Sequence, residues 1–429
     1  MRSKNKLLLP LLILYGCWHT TDAQTIITFE QAEKEAVEKH PITTQREIYE
    51  RMHQAGIESI SKDKLPKFNL QGKLGYFSDV ISPSDPNSPA AVVFPEIPHT
   101  QWSAYASVDY NLYDGGIKKK KLADKEAEYG VQMQENTVSQ FKIKESVSQV
   151  YFAALSYQEQ EILIKDGIIK EIENRIKEME ALQSGGAALP NSTDALKVEY
   201  HKAKQKLLSV QAQKDGALRV LSIWLERESE WKEIELTRPE ILNENSNEIL
   251  RPELTMFSLQ AQRMDATSDL LHSQRMPKVG LFALGGYGTP NPYNFFEVDG
   301  DVFYQVGFKV QWSPFDYGKN KKERQVTQIQ KEVINAELES FNKNINIQVS
   351  QIQARINQLE TMITEDHEII KIQENRAKRT KGALENGAAT SSQYVTNLNE
   401  LTDAKLNLSN HELELLQTRY HLAMTKGLL

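Results

Sequence analysis

The chain has 429 residues, 51 Lys and Arg against 58 Asp and Glu, a formal charge of −7 and a single cysteine. Mild acidity with no large basic face excludes a nucleic-acid partner, and nothing after the first residues offers the ~18 consecutive apolar residues of a transmembrane helix. A mean hydropathy of −0.52 and long stretches free of Pro and Gly predict elongated helices around a narrow buried seam.

Arg2, Lys4 and Lys6 precede an apolar run over 7–15, which reads as a secretory signal. Two maturation sites are open. Cleavage after Ala23 (domain 1–23) leaves Gln24 first and a mature chain with no cysteine, hence no disulfide and no thiol catalyst. The tetrad Leu14-Tyr15-Gly16-Cys17 resembles a bacterial lipobox and would leave a lipidated Cys17. Helices are expected over 24–64, in the periplasm to which such leaders deliver.

The chain then says one thing twice. Leu65-Pro66-Lys67-Phe68-Asn69-Leu70 is answered by Met276-Pro277-Lys278-Val279-Gly280-Leu281, and Tyr113-Asp114-Gly115-Gly116 by Phe315-Asp316-Tyr317-Gly318. Pro41 and Pro252 correspond at the spacing that relates Leu65 to Met276. Such a unit is far longer than the ~20–50 residues of a stacked solenoid. Each copy opens with two segments of period-two alternation, the mark of a strand with two different faces. In 65–113, Phe68, Leu70, Leu74 and Tyr76 alternate with polar residues, as do Trp102, Val108, Tyr110 and Leu112. In 276–315 the apolar sets are Val279, Leu281, Ala283 and Tyr287, then Val302, Tyr304, Val306, Phe308, Val310 and Trp312. Each segment has about the 9–11 residues that a tilted strand needs to cross a bilayer. A half-buried soluble sheet also alternates. Aromatic residues at strand ends (Tyr76, Trp102, Tyr110, Tyr287, Trp312) and the export leader favour lipid on the apolar face. Pro-rich loops over 82–99 and 288–300 join the pairs, since proline cannot donate to a ladder.

After Asp114 and Asp316, expected N-caps, the pattern turns helical. Proline is absent over 115–183 and 318–385, which predicts single helices ~100 Å long. Coiled-coil spacing marks Ile169, Ile172, Ile176 and Met179, returned by Leu196, Ala203, Leu207, Val210, Ala217, Leu221 and Trp224. The second copy shows Ile352, Ile356, Leu359 and Ile363, then Leu401, Leu408, Leu415 and Leu422. Small residues break each hairpin near 184–192 and 385–392, where glycine ends one helix and Ser192 or Ser391 is expected to cap the next. The hairpins thus cover 114–230 and 316–429, with a polar, irregular linker over 231–250 and a helix over 251–275. Four strands leave two open edges, which is prohibitive in lipid, so self-association must close the sheet.

At these residues the chain resembles the TolC family of outer-membrane efflux ducts, over nearly the whole mature sequence. The resemblance implies an α+β membrane protein: a homotrimer whose twelve-stranded β-barrel continues as a periplasmic α-helical coiled-coil barrel. It implies the outer membrane of a Gram-negative bacterium, with export of small molecules such as drugs or metals. The partners implied are a periplasmic adaptor and an inner-membrane pump. The residues at the tips then become the closed gate and the docking surface: Gly185, Gly186 and Pro190, with Gly387, Ala388 and Thr390. Some relatives carry an acidic ring inside the second tip; Gln393 and Thr396 match those places and are uncharged, so a gate of packed polar groups around Gln393, Tyr394 and Thr396 is expected. Lys118, Lys119, Lys120 and Lys121, answered by Lys319, Lys321, Lys322 and Arg324, fit either a solvated helix face or contact with anionic headgroups of the inner leaflet, and Trp102, Tyr110 and Trp312 are expected at the lipid interface.

No cofactor, metal site or catalytic constellation is predicted: the nine histidines are scattered and no phosphate loop is present. Two further classes fit the same residues. One is a duct for protein secretion; the other is a non-transporting periplasmic coiled-coil scaffold anchored at Cys17, whose strands would be buried in a soluble sheet.

Overall fold

The structure, a computed structural model, describes residues 25–80, 95–185, 191–241, 248–294 and 297–429. The predicted signal, Cys17, Gly186, Pro190 and most of the loop over 82–99 lie outside the described residues. In chain order the elements are β1 (Thr25–Ile27), α1 (Phe29–Lys39), α2 (Thr44–Lys62), β2 (Lys67–Tyr76), β3 (Thr100–Tyr113) and α3 (Ile117–Ile162). A π-helical segment (Leu163–Ile169) leads into α4 (Lys170–Ser184), α5 (Asn191–Trp224), β4 (Ile234–Leu236) and α6 (Pro252–Ser273). The chain ends with β5 (Lys278–Thr289), β6 (Asp301–Gln311), α7 (Lys319–Glu385) and α8 (Ser391–Lys426).

Two compact units result. A sheet unit comprises Pro41–Phe141, Ser246–Gln351 and Ala423–Leu429; a hairpin unit comprises the chain up to His40 with Lys142–Asn245 and Ile352–Leu422. In the sheet unit all four expected strands form one antiparallel sheet in the order β2-β3-β5-β6. Asp114 and Asp316 cap the helices that follow. Gly116 and Lys118 donate to the Asp114 carboxylate at 2.9 Å each, and Gly318 and Asn320 donate to Asp316 at 3.0 Å each. Gly115, Gly116 and Gly318 take φ of 74°, 83° and 84°, a left-handed turn open to glycine without penalty.

The hairpin unit has an aromatic core. Phe29 meets Tyr420 at 4.8 Å and both Tyr151 and Phe152 at 5.4 Å between ring centroids. The Tyr151 hydroxyl donates to the Thr237 carbonyl at 2.7 Å, and burial raises its pKa to about 12. Here the linker departs from expectation: β4 pairs in parallel with β1, Thr25 opposite Ile234. Gln158 bonds the Leu236 carbonyl and N–H at 2.8 and 3.0 Å, satisfying backbone that a third strand would otherwise take.

Three further expectations are corrected. The first long helix is not uniform but widens into the π-helical segment, where Ile164 is fully buried against Val210 and Leu406. On α8 the predicted heptad holds only at its end: Leu422 is buried, but Leu401, Leu408 and Leu415 are half-buried, whereas Leu398, Leu406, Leu413 and Leu416 are buried. The helix packs on more than one neighbour, Leu398 on Ile172 and Leu406 on Ile164 and Val210, so the buried stripe is not a two-per-seven seam. Finally, α8 is capped by Thr390 rather than Ser391, and Ser192 lies inside α5.

Candidate functional site

The register of the sheet sorts its side chains into two layers. Phe68, Val108, Ala283 and Val306 stand in one row, and Leu70, Ala106, Gly285 and Tyr304 in the next. The rows of this face are apolar but for Thr100 and Thr289 at one end, and on the outer strands they are bare: Phe68 is 76 % exposed, Leu70 84 %, Tyr304 78 % and Phe308 76 %. Trp102 and Tyr287 pack together at 5.7 Å on this face near one end of the strands. Trp312 lies just past the end of β6 and donates its indole N–H to the Arg275 carbonyl at 3.1 Å. Tyr110 stands opposite Leu281 in the same layer.

The opposite face carries Lys67, Asn69, Gln71, Lys73, Ser103, Ser107, Asp109, Gln305 and Lys309. It is less polar on β5, which presents Phe282 and Leu284 there. Gly286 belongs to this layer because a Cβ would lie 2.3 Å from the Ala104 carbonyl oxygen and 2.4 Å from Tyr105 Cβ. Beyond β5 the chain folds back over this face. Tyr293 meets the buried Phe303 ring edge-on at 5.5 Å and donates its hydroxyl to Gln305 at 2.9 Å. The outer edges of β2 and β6 have no partner strand among the described residues.

The predicted lysine run is engaged within the sheet unit. Lys120 pairs with Asp269 at 2.6 Å, Lys121 with Asp63 at 3.2 Å, and Lys118 donates to the Ser61 carbonyl at 3.1 Å. Lys119 alone of the four is exposed. In the second copy Arg324 donates to Ser268 at 3.2 Å.

In the hairpin unit the two tips close differently. Gly185 ends α4 with its N–H on the Ala181 carbonyl, and Thr193 donates to the Gln183 side chain at 2.9 Å. At the second tip Gly387 takes φ +70° and Ala388 donates to the Ala383 carbonyl at 2.7 Å. Thr390 and Gln393 then form a capping box, Thr390 N–H to Gln393 Oε1 at 2.9 Å and Gln393 N–H to Thr390 Oγ1 at 3.3 Å. The structure brings Gln393 and Thr396 together, both exposed, in a cleft of about 470 Å³ with Arg376 and Arg379. It does not bring Tyr394 to them. That ring is 4 % exposed, packed on Ile172 and Leu398, with the Arg175 guanidinium 5.6 Å from its centroid. Residues one apart on a helix point about 100° apart, so Tyr394 cannot share the face of Gln393. Arg376 and Arg379 carry the signal that sequence reasoning missed; a basic run just before the break at Gly387 could have found them.

No protein-family model matches the sequence, and no curated protein matches it. The fold does match solved structures. The outer membrane protein VceC from Vibrio cholerae aligns with a TM-score of 0.67 at 14 % identity, over 93 % of this chain and 96 % of that one. CusC, described in terms of folding and transmembrane channel formation, aligns at 0.68 and 12 % identity, over 93 % and 92 %. The open state of the MtrE outer membrane channel of Neisseria gonorrhoeae aligns at 0.64 and 13 % identity, over 93 % and 88 %. This chain has the fold of those outer-membrane channel proteins.

Proposed function

We propose that the chain is a TolC-family protein of a Gram-negative outer membrane. Three copies join β2 of one to β6 of the next, closing a twelve-stranded barrel that serves as the exit duct for small molecules in a tripartite efflux pump. A periplasmic adaptor and an inner-membrane pump are its partners; no catalysis is required of it. One observation carries the reading: a four-stranded sheet with no buried residue in its apolar layer, ending in two edges unpartnered among the described residues. In water that layer would be an aggregation hazard. In a bilayer it is the lipid surface, and the open edges then demand closure because unsatisfied backbone groups in hydrocarbon cost several kcal/mol each. A soluble scaffold would bury the same layer.

The gate belongs to the tips. Gln393 and Thr396 face the opening in this reading, while Tyr394 holds α8 to α4 from behind. Single-channel recording of Gln393→Asp tests that assignment: new cation block supports it, and unchanged conductance with unchanged block removes the position from the pore.

The assembly is tested on purified protein in detergent. Light scattering is expected to give a protein mass three times that of the mature chain, and brominated lipids are expected to quench Trp102 and Trp312. A monomer that stays in solution without detergent, with both tryptophans shielded from the lipid, overturns the reading.

A further inference from the structure

We infer that the duct is selective for anions and therefore takes negatively charged solutes; this rests on the channel reading above. The chain as a whole is acidic, at −7, yet the polar face of its sheet is not. Among strand residues of the non-lipid face the charges are Lys67, Lys73, Lys278 and Lys309 against Asp109 and Asp301. Asp109 stands directly opposite Lys67 in the ladder. Asp301 accepts the Val302 N–H at 2.7 Å at the strand start. None of Lys67, Lys73, Lys278 and Lys309 forms an ion pair among the described residues, and the lysines of this face outnumber its carboxylates four to two. Lys278 pairs with Gln311 and Lys309 with Gly280, which makes the two lysines diagonal neighbours on one face.

At that end of the strands the same charge continues. A cleft of about 510 Å³ is lined by Lys64, Lys67, Lys118, Lys119, Lys121 and Lys278, with Asp63 and Asp114 as its carboxylates. Both carboxylates are engaged: Asp63 with Lys121 at 3.2 Å, Asp114 with two helix N–H groups at 2.9 Å. In the hairpin unit the second tip carries the same sign, whereas the first tip, over 171–199, is acidic. The cleft holding Gln393 and Thr396 is lined by Arg376 and Arg379 and by no carboxylate. Arg376 is bonded to Glu400, and Arg379 is exposed with no ion pair among the described residues. The capping box satisfies the Thr390 and Gln393 N–H groups at the start of α8 with neutral partners, and the arginines place full positive charges beside it.

Scattered surface lysines are ordinarily solvated and set no selectivity. Here threefold closure would turn each into a ring around a confined path. Walls of low dielectric then focus the field of such rings, and Lys or Arg rings favour anions.

The test is the reversal potential of the full-length trimer in planar bilayers under a KCl gradient. Wild type is expected to prefer chloride over potassium by about threefold or more. Lys278→Glu with Lys309→Glu should bring the ratio below one, and Arg379→Glu should shift it the same way. Should the glutamate pair prevent assembly, Lys278→Gln with Lys309→Gln is expected to lower the ratio part of the way. Potassium preference in wild type overturns the inference, as does an unchanged reversal potential in the variants while conductance steps persist. A wild-type protein that gives no steps at all overturns the channel reading, and this inference with it.

Discussion

The two copies agree at their ends and differ along their helices. Both enter the long helix through an Asp that holds two N–H groups, and both leave it at a glycine, Gly185 or Gly387, at one common spacing. Between those points the first copy opens into a π-helical segment around Gly167, while the second runs as one helix of 67 residues. The tips diverge in charge as well. Residues 171–199 carry six carboxylates and three cations; the matching residues 373–401 carry four cations and three carboxylates. Local rules that set where an element begins and ends survive duplication, whereas surfaces that meet a neighbour or a lumen are free to diverge.

The largest expected effect separates two buried glutamates. Glu253 on α6 and Glu33 on α1 are equally hidden, each 7 % exposed. Glu253 is held by both arms of Arg251 at 2.6 and 3.0 Å, with the guanidinium 4.4 Å from the Phe141 centroid. Glu253→Gln removes the carboxylate from a buried guanidinium and should cost about 3–5 kcal/mol, read as a large fall in unfolding temperature in detergent.

Next come two glycines related by the spacing that links Leu65 to Met276. Gly286 sits on a central strand against the Ala104 carbonyl and Tyr105, whereas the nearest atom to a Cβ at Gly75 is the Phe77 ring at 3.5 Å. Gly286→Ala should destabilise by about 2–3 kcal/mol through overpacking, and Gly75→Ala by little. Equal losses in thermal unfolding would show that closure with a second copy constrains Gly75 too.

Glu33 comes third. Its Oε1 has no hydrogen-bond partner, and burial lifts its pKa from 4.5 to about 7, Lys144 opposing and Glu30 adding. The folded state therefore binds this proton more tightly than the unfolded chain. Its contribution is fully present below about pH 4.5 and is lost as pH rises through about 7. Glu33→Gln should abolish that loss, gaining about 2 kcal/mol at pH 8 and nothing at pH 4.5. Unfolding temperatures at the two pH values check the sign.

The duplicated caps predict a smaller and equal change. Asp114→Ala and Asp316→Ala should each lower stability slightly, since each carboxylate satisfies two N–H groups. Helix N–H bonds hold the Asp316 carboxyl below the usual carboxylate range. Unequal losses in urea titrations would mean that the copies no longer share the rule.

These cases mark what could be read in advance. The four strands were legible because period two needs only the order of residues, and the caps because Asp before glycine is a local device. The β1–β4 pair was not, since three-residue strands leave no period to count. Tyr394 was misplaced because its packing depends on α4, far away in the chain. The lysines of the polar face were visible as residues, but their concentration on one surface needed the register.

The smallest effect asks what makes the first hairpin bulge. The position answering Gly167 in the second copy is Ile369, inside the uninterrupted helix. A π-helical segment arises where the sequence weakens the helix or where packing rewards a wider turn. Gly167 has a negative φ, and a Cβ would lie 3.6 Å from Leu163 Cδ1, an ordinary contact. Packing is the stronger cause, because Ile164 is fully buried on Val210 and Leu406. Gly167→Ala should then stabilise by about 0.5–1 kcal/mol, the usual difference between the two residues in a helix, and leave the bulge in place. Hydrogen exchange at 163–169 reads the geometry: protection that rises to the level of the matching stretch of α7 would mean that the glycine, and not Ile164, opens the turn.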